Sequence, residues 1–395
     1  MPLPTAEDAK ELFNLAKGFT NFNHGSFGAV AKKVKARQNE LHLLAEARPD
    51  KWFRETIYTL SNESRARVAS MIEASVDDVV LVENASTAIN AILRGRLQKG
   101  DKVLRFSNTY NMCIETFKWL GVEQVVVDIN FPVADDKTLT DDFSKAMEAH
   151  PDIKLCLFCH IASFPTIIEP VEAFTAIAKS VNKDCIVLID GAHAPGQLKL
   201  NMEDLSDLGV DYYTGNLHKW CYAPKGCAFM WTADRNGNKD YAGLAPTVIS
   251  STGMTSYADR FAYTGTRDYT AFCTIPAALD FCDELGGHGA IFKRNHDLVI
   301  AGARHCVVKW GTFMLCPENS YGVMADIVLP STDYEKVLKV VKRLEEDDDT
   351  YFLAKEYMVG GEMRIISRIS ANLYLEQSDF ITLAEKVLQY LDDAK

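Results

Sequence analysis

The chain has 395 residues, 47% hydrophobic and 24% charged. That balance excludes a disordered chain, which needs low hydrophobicity with high net charge. Lys and Arg total 42 against 54 Asp and Glu, a formal charge of −12, which argues against a bulk nucleic-acid binder, since phosphate contacts need a basic surface. No run is long and apolar enough to span a bilayer, and the N-terminal MPLPTAEDAKELF carries acids where a secretory leader needs an apolar stretch. No nucleic-acid or membrane partner and a cytoplasmic location are therefore expected.

Amphipathic spacing predicts helices over 32–47 and 54–74. Short β-branched runs follow at 77–84, 101–106, 123–129, 153–162, 184–190, 210–216 and 226–232. Most are apolar throughout, as strands covered on both faces are. Helical stretches fall between them at 86–97, 112–120, 141–149 and 170–181. Seven such strands predict an α/β fold with a doubly wound, mostly parallel seven-stranded sheet. Beyond about residue 266 the pattern changes. A long helix is expected over 271–285, continuing near 290–309. It precedes the run YGVMADIVLP, a charged helix over 333–345, the run RIISRISANLYL and a last helix over 378–393. This reads as a smaller α+β C-terminal domain. The division expected is 1–21 as a segment packing on the small domain, 22–265 as the large domain and 266–395 as the small one. The acidic run Glu345-Glu346-Asp347-Asp348-Asp349 reads as a solvated loop.

Ten cysteines are scattered through apolar runs, the pattern of buried thiols in a reducing compartment. Cys156 and Cys159 form a CxxC, but no second pair accompanies it and the run is strand-like. They read as core, and no metal site is expected.

Ligands of parallel α/β sheets bind at the carboxyl ends of the strands, and four polar clusters lie there. Asn84-Ala85-Ser86-Thr87-Ala88 opens a helix, where backbone N–H groups can meet a phosphate or Ser86 or Thr87 can simply cap the helix. Asp190-Gly191-Ala192-His193-Ala194 follows IVLI, and a carboxylate ending a buried strand needs a positive partner. Gly215-Asn216-Leu217-His218-Lys219-Trp220 sets a lysine among apolar neighbours, which suits a lowered pKa and Schiff-base chemistry. Gly265-Thr266-Arg267-Asp268 forms a turn between the two expected domains.

Carried by DGAHA and NLHKW, with support from NASTA and GTRD, the chain resembles the fold-type I pyridoxal-phosphate enzymes of the aminotransferase class V group. FNHGSFGA, RPDKWFRE, YYTGNLHKW and RISANLY liken it to the isopenicillin-N-epimerase-like branch, which includes a sulfoxide lyase of ergothioneine biosynthesis and a loline-pathway enzyme. The resemblance covers nearly the whole chain. It implies pyridoxal 5'-phosphate as cofactor, with Lys219 forming the Schiff base and moving the α-proton. Asp190 would pair with the pyridine nitrogen, Ala192 would pack on the ring, and His193 and the region of His160 and Ser163 would lie near its hydroxyl. Ser86, Thr87, Asn216 and His218 would hold the phosphate. Thr266 would reach the partner's phosphate in a homodimer with a shared active site. Tyr110 would stack on the ring and serve as a general acid. Arg368 would bind the carboxylate of a small amino-acid substrate, with Arg364 as its rival, and Asn23, His24 and Ser26 would line the substrate mouth.

The cofactor permits elimination, epimerisation, bond formation and transamination. Cysteine desulfurases of the group use a cysteine upstream of the carboxylate arginine, and here the last cysteine is Cys316. A C–S lyase acting by β-elimination on a cysteine conjugate or sulfoxide is therefore expected. An epimerase, a loline-type bond-forming enzyme and an aminotransferase are the alternatives.

Overall fold

The structure, a computed structural model, describes residues 3–233, 244–249 and 256–394. Its centre is a seven-stranded sheet of β2 (Val79–Val82), β3 (Lys102–Phe106), β4 (Glu123–Val127), β5 (Leu155–Cys159), β6 (Ile186–Asp190), β7 (Tyr212–Asn216) and β8 (Ala228–Thr232), in the order β2-β8-β7-β6-β5-β3-β4. Only β8 runs antiparallel to its neighbours. Strands β5 and β7 are buried at every position, because helices cover both faces. The α/β fold and all seven strands are as the sequence predicts.

Between the strands, caps set where the helices begin. Asn84 Oδ1 accepts the Thr87 N–H and opens the helix Ala85–Arg96. Asp135 accepts the Thr138 N–H, so the helix Asp136–Ala149 starts five residues before the expected 141. The CxxC does not form a joint site: Cys156 Sγ faces Met147 Sδ and Cys185 Sγ, each at 3.6 Å, whereas Cys159 ends β5 beside the cavity described below.

Two smaller sheets complete the fold. β1 (Thr20–Asn21) pairs in parallel with β10 (Thr350–Tyr351), which binds the N-terminal segment to the C-terminal part of the chain. β9 (Met324–Val328), β11 (Lys355–Val359) and β12 (Glu362–Ser370) form an antiparallel sheet in the order β11-β12-β9. β11 has no counterpart among the expected elements; its pattern, largely exposed, lacks the apolar run that marks the others. The expected helix near 271–309 is three helices, Thr270–Cys273, Ile275–Glu284 and Gly287–Trp310, the last two separated where Gly286 and Gly287 turn to positive φ.

The acidic run is not a loop. Glu345 to Asp348 complete the helix Tyr334–Asp348, and only Asp349 leaves it, at φ +48. Lys342 and Arg343 stand four residues before Glu346 and Asp347, at 3.6 and 3.3 Å, and offset the repulsion. Asp348 is held by the Tyr390 hydroxyl and the Lys386 amine. Buried Val337, Val340 and Leu344 supply the apolar face.

The helix Gly287–Trp310 packs on the last helix, Gln377–Asp393. A Cβ on Gly302 would lie 2.3 Å from Cδ1 of the buried Phe380. Gly302→Ala is expected to destabilise the protein by about 1–3 kcal/mol through overpacking, read as a lower urea midpoint at unchanged slope. An unchanged midpoint would mean that the two helices separate at no cost.

Candidate active site

A cavity of about 310 Å³ opens at the carboxyl ends of the parallel strands, where this sheet type binds its ligands. Asp190 ends β6 and Asn216 ends β7; the turn after β7 carries His218 and Lys219. Tyr110 follows β3 and precedes the helix Asn111–Leu120. Each of these side chains lines the cavity, with Ser86, Ala192, His193, Ser163 and Ser26. Tyr110 stands half-exposed at the mouth.

The charges here are largely out of water. Lys219 is 9% exposed, and its Nζ lies 2.9 Å from His193 Nε2. Burial, with the nearby Arg368, brings its pKa down to about 7, although Asp190 opposes the shift. The neutral amine is therefore available near physiological pH. Burial raises the Asp190 carboxyl above its usual range, against the Ala192 N–H that Oδ1 accepts at 3.0 Å and the Lys219 charge. Burial and the Lys219 and Arg368 charges hold His193 well below its usual pKa, so its ring is neutral. His193 Nδ1 is buried with no partner.

These features fit pyridoxal phosphate. A buried carboxylate on the wall suits a protonated pyridine nitrogen, the unpartnered imidazole nitrogen suits a ring hydroxyl, and the lysine amine suits the aldehyde. At the other end, Asn216 Oδ1 accepts the Ala85 N–H at 2.9 Å, and the Ser86 residue beside it faces the cavity at the start of a 12-residue helix. A helix start of this kind suits a phosphate. The His218 Nδ1–H donates to the Cys227 carbonyl at 3.2 Å, since a carbonyl only accepts.

Other residues singled out by the sequence lie elsewhere. Thr87 is off the cavity, with its hydroxyl on Asn84 Oδ1. Asn84, rather than Ser86 or Thr87, is the cap. Thr266 is exposed, its hydroxyl 3.0 Å from that of Tyr263. His160 is buried against Tyr213, Nδ1 to Oη 2.8 Å. His24 is 1% exposed and does not line the cavity. Arg364 lies at the surface with Glu362.

Arg368 sits one layer behind the wall. Its Nη1 donates to the carbonyl and hydroxyl oxygens of Ser163, and its Nη2 to Asn23 Oδ1 and Ser26 Oγ at 2.6 and 3.0 Å. All four acceptors are neutral, and Nε has no partner. Directly across the strand pair stands Asp326 of β9, fully buried, with Oδ2 on the Thr166 N–H and Oδ1 free. Burial pushes its pKa up to about 8.

Sequence reasoning missed Asp326. It also missed Glu169, a buried carboxylate that accepts the Cys159 N–H at 3.0 Å and the Asn108 amide at 3.2 Å. An acid inside an apolar run, as in VMADIV or TIIEPV, was the available signal. The apolar wall of Phe27, Ile89, Met112 and Ile161 went unread as well, because such residues look like core in any helix or strand. Among the described residues no cluster of three or more His, Cys, Asp or Glu could hold a metal ion, and no helix is long and apolar enough to cross a membrane.

The chain is similar to a rice protein named putative L-cysteine desulfhydrase 1, 31% identical across 87% of this chain and 72% of that one. It is 23% identical to the hercynylcysteine sulfoxide lyase of Schizosaccharomyces pombe, across 97% of both chains. Its fold is shared with a cysteine desulfurase from Thermococcus onnurineus, at a TM-score of 0.79 and 17% identity, over 100% of this chain and 99% of that one. The model of the aminotransferase class-V family matches residues 31–303, and the chain belongs to that family.

Proposed function

We propose that the protein is a pyridoxal-phosphate-dependent C–S lyase acting on a cysteine-derived amino acid. The observation that carries this is the Lys219 amine, buried at a cavity wall with its pKa brought down to about 7, in a chain whose ten cysteines are all buried free thiols. The names of the relatives, a cysteine desulfhydrase and a sulfoxide lyase, support the same reading.

When bound, pyridoxal phosphate supplies an electron sink that makes the substrate Cα–H acidic. Lys219 takes that proton, since its lowered pKa leaves the amine unprotonated often enough near neutral pH to act as a base. Asp190 holds the pyridine end, and His193 keeps the lysine nitrogen in place at 2.9 Å. Arg368, through the Ser26 and Ser163 wall, orients the carboxylate. The Cβ–S bond then breaks with its electron pair on sulfur, and Tyr110 at the mouth supplies a proton to the departing group. The products are a thiol or sulfenic acid, pyruvate and ammonium, with water consumed.

In this reading residues 22–265 carry the cofactor, 266–395 form the smaller domain that delivers Arg368, and 1–21 pack on that domain. Thr266, exposed and away from its own cavity, serves the phosphate of a second copy in a homodimer. The buried free thiols favour a reducing compartment, and the cytoplasm is proposed.

Incubation with L-cysteine, S-alkyl and S-aryl cysteines and their sulfoxides tests the reaction. Pyruvate and the sulfur product should appear in equal amounts with at least one of them. Exchange of the α-proton in heavy water without pyruvate from any would instead favour epimerisation. A second expectation concerns Lys219. Capture of pyridoxal phosphate by the cofactor-free chain needs the neutral amine. Its rate should climb between about pH 6 and 8 and level off, as a pKa lowered to about 7 requires. A rate still climbing at pH 10, or capture by Lys219→Ala, would refute the assignment. A third is that Arg368→Ala raises KM about 30-fold, or about 2 kcal/mol, with a smaller effect on kcat. An unchanged KM would move carboxylate binding to another group.

A further inference from the structure

One turn of helix touches both poles of the site. Residues His24–Phe27 form it, and Asn23 precedes it. On one side, Asn23 Oδ1 and Ser26 Oγ hold Arg368 Nη2. On the other, the buried His24 ring lies 2.9 Å from the Lys219 carbonyl by Nε2 and 2.8 Å from the Tyr374 hydroxyl by Nδ1.

The tautomer follows from these partners. A carbonyl oxygen only accepts, so Nε2 carries the proton. Burial pushes the His24 pKa down to about 4, so Nδ1 is unprotonated and accepts from Tyr374. The ring also lies against Trp220, centroids 4.8 Å apart. Gly28, which closes the turn at φ +69, presses on the same segment: a Cβ there would lie 1.9 Å from the His218 carbonyl oxygen. His24 therefore faces the backbone of the lysine and not the cavity.

We propose that His24 is a positioning residue, which with Tyr374 fixes the Lys219 backbone and so the place of its amine, while Asn23 and Ser26 on the same turn fix Arg368. The turn sets the separation between the group that moves the proton and the group that orients the carboxylate. The inference rests on the assignment of Lys219 but not on the C–S lyase reading.

The test measures the Kd of the full chain for pyridoxal phosphate, then kcat and KM on whichever substrate turns over. His24→Ala should weaken cofactor binding and lower kcat, each at least ten-fold, with KM within three-fold and an intact circular-dichroism spectrum. His24→Gln, which restores an N–H donor, should return both to within about three-fold of the native values. Tyr374→Phe should lower kcat two- to five-fold without moving KM. Ser26→Ala should show the converse, a KM raised at least three-fold at native cofactor affinity.

If His24→Ala does not fold, the glutamine and phenylalanine variants carry the test. A raised KM at native kcat and cofactor affinity in the His24 variants would make His24 a substrate contact and overturn the proposal. So would a glutamine variant, folded, that is as impaired as alanine. Where no substrate turns over, the lyase reading fails, and the cofactor affinities still decide the role of His24.

Discussion

An ammonium group held out of water is the constraint on which the site is built. Moving a lysine from solvent into a cavity wall disfavours its charged form, and here that brings Lys219 to about pKa 7. The cost has to be met by a rigid surround, since an exposed lysine would relax toward water. Trp220 follows it in sequence and is buried, and His193 meets its nitrogen. The strand ends of β6 and β7, buried in the central sheet, and the turns that follow them deliver all of these groups. A reactive amine is thus obtained without any special residue type, from placement alone.

The second cation obeys the same physics with the opposite result. Arg368 keeps its charge whatever its burial, so the structure surrounds it with dipoles instead of neutralising it. Ser163, Ser26 and Asn23 accept from the guanidinium, and among the described residues no carboxylate comes within 4 Å of it in an ion pair. Asp326 stands across the strand, yet its pKa near 8 leaves it mostly protonated at neutral pH. A positive charge met by neutral acceptors keeps its attraction for an anion. A firm salt bridge at this place would have cancelled that attraction.

How much of this was legible depended on whether a residue acts through its neighbours in sequence. Lys219 and Asp190 sit in strand-exit motifs, DGAHA and NLHKW, whose apolar strand makes the polar residue conspicuous. Tyr110 and Ser86 likewise follow strands. His24 is different. Its ring meets the Lys219 carbonyl, 195 positions away, and the Tyr374 hydroxyl, 350 positions away, and no local pattern records such distances. The motif FNHGSFGA singled out the segment, but a histidine in a glycine-containing loop reads equally as a mouth residue. Asp326 shows the same limit: only the β9–β12 register places it opposite Arg368. The acidic run at 345–349 failed for another reason. Charge density argues for solvent, but solvent-facing is not irregular, and i,i+4 partners with three buried apolar residues kept the helix going.

The cysteines separate fold from chemistry. The overall path of the chain is that of a desulfurase structure, at a TM-score of 0.79. A desulfurase of the kind weighed from the sequence, however, needs a thiolate that leaves the protein surface to take sulfur from the substrate. A thiolate is the reactive form, and burial in apolar surroundings suppresses it. Cys316, the last cysteine, is 5% exposed, and burial raises its pKa to about 12. Burial, with Glu169 and Asp190 nearby, likewise holds Cys159, the thiol on the cavity wall, well above its usual range. Neither can act as a mobile acceptor. With sulfur capture closed off, sulfur that leaves Cβ has to depart by the mouth, past Tyr110 and Phe27, both well exposed there.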